Sequence, residues 1–350
     1  MNVIELTPPY LIFLGDVTTM TYAKTGAGLA QWRPELCAGQ LSLVTGGVDL
    51  GLPAMTVAEA KAQGVRSLVV GTASVGGGIQ PSWESTLVEA AEAGLDIVAG
   101  LHVRLASNAR LATAAKASGV RLVDVRIPPA DLPVGTGKKR SGMRLLTMGT
   151  DCAVGKKYTA LALEAAMRDA GMAASFRASG QTGVMIAGEG LPIDAVVADF
   201  ISGAAELLSP DNAPDHWDII EGQGALTHPG YAAVTTGLLL GSQPDAFVVC
   251  HEAGRSQVSG WEDYPLPSID EIIQRTVAVG SITNPGIHCV GVSVNTSTLA
   301  PDERRPYLEQ LERELGLPCV DPLIDGMAAI VERLRLETNS ASAREAGAAL

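Results

Sequence analysis

At 350 residues the chain is longer than the roughly 250–300 at which a single hydrophobic core stops growing, so two domains are expected. Its 38 acidic against 25 basic residues give a formal charge of −13, which opposes a phosphate backbone and excludes nucleic acid as a partner. Five scattered cysteines (Cys37, Cys152, Cys250, Cys289 and Cys319) without a CxxC pair exclude a zinc ribbon or a disulfide framework; no run approaches about 18 apolar residues, so no membrane span is expected and the chain reads as cytoplasmic.

The first half repeats an apolar run, a glycine-rich turn and an amphipathic helix. Strands are predicted in YLIFLGD, LSLVTGG, SLVVGTA, DIVAGLH and RLVDVR. Between them TVAEAKAQG, PSWESTLVEAAEAG and SNARLATAAKASG carry alanine, leucine or valine at helical spacing and end on glycine, which suits a left-handed C-terminal cap. Strands alternating with helices predict an α/β fold with a doubly wound, mainly parallel sheet. GxGxxG is missing after the first strand, and the three glycines between Gly71 and Trp83 fit either a bare turn or a loop approaching a ligand.

Residues 1–130 thus form the first predicted domain. The proline-, glycine- and lysine-rich stretch 131–142 reads as a linker, 143–335 as a second domain and 336–350 as a polar tail, helical or disordered. The second domain opens with a strand, RLLTMG, the loop GTDCAVGKK and the helix YTALALEAAMRDAG, whose apolar stripe runs through Leu161, Ala165 and Met167. Later strands are predicted in AASFRAS, AVVADF, WDIIEG, AFVVCHE and HCVGVSVN, which again implies a doubly wound sheet.

A strand, a glycine-rich turn, a lysine and a helix together aim backbone N–H groups and a helix N-terminus at one point, where a phosphate sits best. The usual pattern is GxxxxGK[ST]; here five residues separate Gly149 from Gly155, and position 157 is lysine. The longer spacing resembles the GTDTxVGKT loop of dethiobiotin synthetases, matched at Gly149, Thr150, Asp151, Val154, Gly155 and Lys156. The missing hydroxyl matters more, because in nucleotide hydrolases it ligates the Mg²⁺ between the β- and γ-phosphates. Lys157 cannot ligate a cation, and Thr159 lies about 200° further around the helix. Such a loop suits a phosphate-bearing ligand that is held and not cleaved.

Ligands of doubly wound sheets sit outside the carboxyl ends of the strands, where this chain places four polar clusters. The first holds Arg177, Ser179, Gln181 and Thr182, the second Glu221, Gln223 and His228, the third His251, Glu252 and Arg255, the last Asn295. Glu221 fits a metal ligand, a base or an ion-pair partner of Lys156. His228 and His251 fit proton transfer or a structural hydrogen bond, and Arg177 and Arg255 fit a carboxylate grip or the plain surface. Asp199 is an acid or a turn residue. Along a strand Cys250 and Glu252 share one face and His251 takes the other, so no cysteine nucleophile is expected there.

The segments GTDCAVGKKYTA, GQTGVMIAGEGLPIDAVVADF, IEGQGALTHPGY, HEAGR and GVSVNT, with YAKTGAGLAQW and GGGIQPSW in the first half, resemble a two-domain bacterial family described as D-glutamate N-acetyltransferases. The resemblance implies a Rossmann-like N-terminal domain, a C-terminal domain of the P-loop NTPase type, and acetyl transfer from acetyl-coenzyme A, as co-substrate, to an acidic D-amino acid. It implies small-molecule partners, a homo-oligomer and no metal. On that basis Gly149, Thr150, Asp151, Val154, Gly155, Lys156, Lys157 and Tyr158 are assigned to the coenzyme, Glu221, His228 and His251 to catalysis with Glu221 or His228 as the base, and Lys24, Arg177, Gln181, Thr182 and Arg255 to the acceptor. The alternatives are an ATP- and Mg²⁺-dependent ligase or kinase like dethiobiotin synthetase, and a regulator that binds a nucleotide without turnover.

Overall fold

The structure is a computed structural model that describes residues 3–72 and 78–337. In chain order the elements are β1 (Ile4–Glu5), β2 (Tyr10–Gly15), α1 (Lys24–Trp32), β3 (Cys37–Ser42), α2 (Val57–Ala62), β4 (Ser67–Val70), α3 (Glu84–Glu92), β5 (Asp96–Ala99), α4 (Ala109–Ser118) and β6 (Leu122–Asp124). There follow β7 (Met143–Gly149), α5 (Lys156–Asp169), β8 (Ala174–Arg177), α6 (Gln181–Ala187), β9 (Glu189–Gly190), α7 (Ile201–Leu208), β10 (Trp217–Ile220), α8 (Ala232–Ser242), β11 (Ala246–Glu252), β12 (Gln257–Val258), β13 (Trp261–Pro265), α9 (Ile269–Gly280), β14 (His288–Asn295), α10 (Pro301–Leu315) and β15 (Cys319–Val320). No described helix is long and apolar enough to cross a membrane.

Two compact units result. The first comprises residues 1–130 and 180–195. Its five strands are all parallel, in the order β3-β2-β4-β5-β6, and β2 is buried along its whole length because helices cover both faces of such a sheet. Local chemistry sets the helix ends: Thr56 and Glu59 form a capping box at α2, Asn108 caps α4 by accepting from Leu111 N, and Gly119 closes α4 in the left-handed conformation. At the end of β2, Asp16 accepts hydrogen bonds from Trp83 Nε1 and Ser82 Oγ. Segment 180–195 follows β8 in the chain yet belongs to this unit, where β9 pairs with β1 and α6 packs on α1 beside Gly28.

The second unit comprises residues 131–179 and 196–350. Its main sheet is also wholly parallel, in the order β15-β14-β11-β7-β10-β8. Residues 131–142 are fastened to it. Arg140 donates to the carbonyls of Ser209, Gly241 and Ser242, and the Thr136 and Gly137 amides donate to Glu206. Arg144 is fully buried, and its guanidinium donates to the carbonyls of Arg140, Ser141, Gly142, Ser209 and Pro210.

Two predicted strands need revision, and two further segments lie wholly or partly outside the described residues. The third strand is CAGQLS and not LSLVTGG, because Gly39 lets the Pro53 carbonyl approach to 2.7 Å of where a Cβ would stand. The run AVVADF is no strand: it forms the 3₁₀ turns Ile193–Ala195 and Ala198–Phe200, with Val197 exposed, where the chain returns from the first unit to the second. Residues 73–77 of the glycine-rich turn before Trp83, and the tail from 338 on, lie outside the described residues.

α7 and α8 approach closely because glycine lines their contact: a Cβ on Gly241 would stand 2.3 Å from the Ser202 carbonyl and one on Gly237 2.5 Å from Ile201 Cγ2, while on α7 a Cβ on Gly203 would stand 1.9 Å from the carbonyl of Pro133 in the 131–142 segment. Gly203→Ala is therefore expected to destabilise the protein by about 1–3 kcal/mol in chemical denaturation. Gly286→Ala, where the nearest atom would lie at 3.5 Å, is the matched control and should leave the midpoint unchanged.

Candidate active site

Strand β7 sits between β10 and β11, so the order of strands along the chain reverses at its carboxyl end. That reversal opens the crevice in which ligands of such sheets bind. The loop GTDCAVGKK leaves β7 there. Gly149 permits its tight turn: a Cβ would lie 2.7 Å from Asp151 O and 2.8 Å from Lys156 Nζ. Gly155, at φ +103°, opens α5 in a conformation that favours glycine. From the first turn of α5 Lys156 folds back over the loop and donates from Nζ to Asp151 O at 2.8 Å. Gly222 completes the wall, since a Cβ there would meet Thr147 O at 1.7 Å and Lys156 Cδ at 3.0 Å.

The Lys156 ammonium over the loop and the first-turn N–H groups of α5, which have no partner within the helix, are groups of the kind that hold an anion. Burial pushes both Lys156 and Lys157 below the ordinary lysine range, and the Glu221 carboxylate acts against that shift in each. Glu221 is itself buried, directly beyond β10, and accepts from Ser179 N at 3.1 Å while Ser179 Oγ donates to its carbonyl. The Lys157 ammonium lies 4.7 Å from the centre of the Tyr158 ring. Thr159 cannot supply the missing hydroxyl: its Oγ1 is buried, 2.7 Å from Ser293 Oγ, and takes a hydrogen bond from Cys250 Sγ. Burial also pushes the Cys250 thiol up to about 11, which leaves it un-ionised and inert at neutral pH.

Asp151 faces inward. Its fully buried carboxylate accepts from Cys152 N at 2.6 Å, Ser259 N at 2.8 Å and Arg255 Nη1 at 2.9 Å. Arg255 also donates to Cys152 O and pairs with Glu252, so its guanidinium is engaged by two carboxylates and a carbonyl. The sequence assignments of Asp151 to the coenzyme and Arg255 to an acceptor carboxylate therefore meet a structure in which the two residues bind each other.

The histidines differ in what they can offer. His228 is boxed by Tyr231 and Trp261, with ring centres at 4.6 and 4.7 Å. Its Nδ1 accepts from Gly230 N at 3.0 Å, so in the neutral ring Nε2 carries the proton. That Nε2 is buried without a partner, 3.8 Å from Asp151 Oδ1. His251 has Nδ1 3.1 Å from Thr150 Oγ1, and burial together with the Arg255 guanidinium holds its pKa below the ordinary 6.5. Asp151, Cys152 and His228 bring one potential ligand atom each within 4.8 Å of one another. A metal there would need the Nε2 lone pair that the Gly230 contact excludes, and would share its carboxylate with a guanidinium.

Other predicted residues stand elsewhere. Arg177 donates to Asp218 Oδ1 at 2.7 Å; in register with Ile220 it takes the sheet face opposite Glu221. Lys24, exposed at the start of α1, belongs to the first unit, as do Gln181, which accepts from Arg126 Nη1, and Thr182. Asn295 Nδ2 lies 3.5 Å from Glu252 Oε2, and Asp199 is exposed on a 3₁₀ turn. Sequence reasoning missed Ser259, Tyr231 and Trp261. The turn of the β12–β13 hairpin brings Ser259 and Trp261 in, and its one trace in the sequence is the Ser-Gly-Trp at its tip.

If Arg255 serves chiefly to neutralise Asp151, Arg255→Ala should cost about 3–5 kcal/mol of folding free energy by chemical denaturation, the penalty for stranding a buried charge. A stable variant with a raised KM for a carboxylate substrate would assign it to the ligand instead.

Comparison with known proteins agrees with this architecture. The family model described as the DUF1611 P-loop domain, a domain of unknown function, matches residues 133–331, and the Rossmann-like DUF1611 N-terminal model matches 35–128. A protein of Tritonibacter scottomollicae named D-glutamate N-acetyltransferase is 47% identical over 93% of this chain and 98% of its own length. One of the same name from a Pseudoalteromonas species is 46% identical over 94% and 99%. The crystal structure of a DUF1611 family protein from Anabaena variabilis superposes with a TM-score of 0.81 at 32% identity, covering 94% of this chain and all of that one. The chain therefore belongs to the DUF1611 family, with a Rossmann-like N-terminal and a P-loop C-terminal domain.

Proposed function

We propose that the protein is a D-glutamate N-acetyltransferase that moves the acetyl group of acetyl-coenzyme A to the acceptor's amine. The observation that carries this reading is the near full-length likeness, at 46–47% identity, to two proteins of that name. The site supports it. Acyl transfer needs a hold on the coenzyme phosphates, a base for the ammonium proton and donors for the oxyanion, and it needs no hydroxyl at position 157. Lys156, Lys157 and the N-terminus of α5 supply the first, with Glu221 as the lysines' counter-ion.

His251 is the base. With Nδ1–H donating to Thr150 Oγ1, its Nε2 lone pair is available, and the lowered pKa keeps the ring neutral at physiological pH. The base takes a proton from the acceptor ammonium, the freed nitrogen bonds to the thioester carbon, and the C–S bond then breaks as the departing thiolate takes up a proton. His228, whose Nδ1 is occupied, acts only as a donor through Nε2. An ATP-dependent ligase would need a hydroxyl that Lys157 lacks and Thr159 has committed to Ser293.

The purified protein, given acetyl-coenzyme A and D-glutamate without ATP or metal, should release free thiol, while L-glutamate and no-acceptor controls should not. Thiol release absent, with phosphate released from ATP when Mg²⁺ and a carboxylate are added, would favour the ligase. The neutral form of His251 is the active one, so kcat/KM should rise with pH through a midpoint below 6.5. His251→Gln should abolish that acid limb and lower the rate by about 10²–10⁴-fold. Full turnover in His251→Gln would remove it from the role.

A further inference from the structure

P-loop domains ordinarily bind phosphates together with Mg²⁺, held by the serine or threonine that follows the loop lysine. The residues present here do not fit that ion. Lys157 occupies the ligand position with a group that has no lone pair to give while charged. The nearby oxygens and nitrogens are spoken for: both Asp151 oxygens accept protein N–H groups, Thr150 Oγ1 meets His251, Thr159 Oγ1 meets Ser293, and His228 Nδ1 meets Gly230. The Glu221 carboxylate acts on both lysines, and it already accepts from Ser179 N.

What stands at the sequence position of the metal-ligating hydroxyl is a lysine. The Lys157 side chain leaves the first turn of α5, as the ligating hydroxyl would. Its ammonium rests against the Tyr158 ring at 4.7 Å, in a half-buried residue on which the Glu221 carboxylate acts. Glu221 is a buried carboxylate whose charge acts on both lysines.

We infer that the Lys157 ammonium substitutes for the divalent cation, so that this loop binds a diphosphate group in a metal-independent way. The inference rests on the reading of the loop as a phosphate site for coenzyme A. A covalently attached charge holds the diphosphate at any metal concentration, yet leaves the terminal phosphoryl group without the polarising ion that transfer requires, which suits a ligand whose phosphates serve as a handle.

The test is calorimetric titration of the full chain with coenzyme A and, separately, with ADP, each in excess EDTA and in excess Mg²⁺. The unmodified protein should bind coenzyme A with affinities that agree within about twofold between the two buffers. Lys157→Ser restores the hydroxyl: it should bind about 10–100-fold more weakly in EDTA and recover with Mg²⁺. Lys157→Gln, which restores no ligand, should be weakened in both buffers, and it serves if the serine variant does not fold. A loss of about tenfold or more by the unmodified protein in EDTA would overturn the inference, as would variants that bind like the parent in EDTA. Metal-independent binding of ADP with no binding of coenzyme A would uphold the inference and sink the acetyl-coenzyme A reading; Mg²⁺-dependent binding of coenzyme A would do the reverse.

Discussion

Asp151 carries a carboxylate with no exposure to solvent, and the chain brings it donors from three directions: the next amide of its own loop, the guanidinium of Arg255 beyond β11, and the Ser259 amide in the β12–β13 turn. A buried charge left unmatched costs several kcal/mol, so these three segments hold one arrangement or none. The loop is thereby fixed in the turn that lets Lys156 reach back to the Asp151 carbonyl. The hairpin is fixed with it, and Trp261 closes over His228.

The sheet makes that convergence possible. β7 lies between strands that follow it at different distances along the chain, β10 on one side and β11 on the other, so Glu221, the loop and His251 emerge side by side although 100 residues separate Thr150 from Cys250 at their hydrogen bond. Close backbone approach is the second requirement. Gly222 and Gly149 leave the space through which the Lys156 chain passes, and any side chain there would collide with it or with a carbonyl.

Within this frame the polar side chains divide by the atoms they have left to offer. Asp151 and Arg255 satisfy each other, Arg177 is taken by Asp218, and His228 has given its lone pair to a backbone amide. Lys156 and Lys157 at the start of α5 and His251 near the end of β11 stand at the carboxyl edge of the sheet.

Sequence by itself determined the two parallel sheets, because continuous apolar runs alternating with capped amphipathic helices leave few other packings, and it determined the phosphate loop, because glycine spacing, lysine and helix start are local features. The missing hydroxyl at position 157 was equally legible. It misplaced the third strand and took AVVADF for another, since apolar runs alone do not reveal where a chain changes units. Only the tertiary structure decided that residues 180–195 join the first unit, that Arg255 pairs with Asp151, and that His228 Nδ1 accepts from a backbone amide while His251 Nδ1 meets the Thr150 hydroxyl. Each of those depends on a partner distant in the chain or on the direction of one hydrogen bond, and neither is written in local composition.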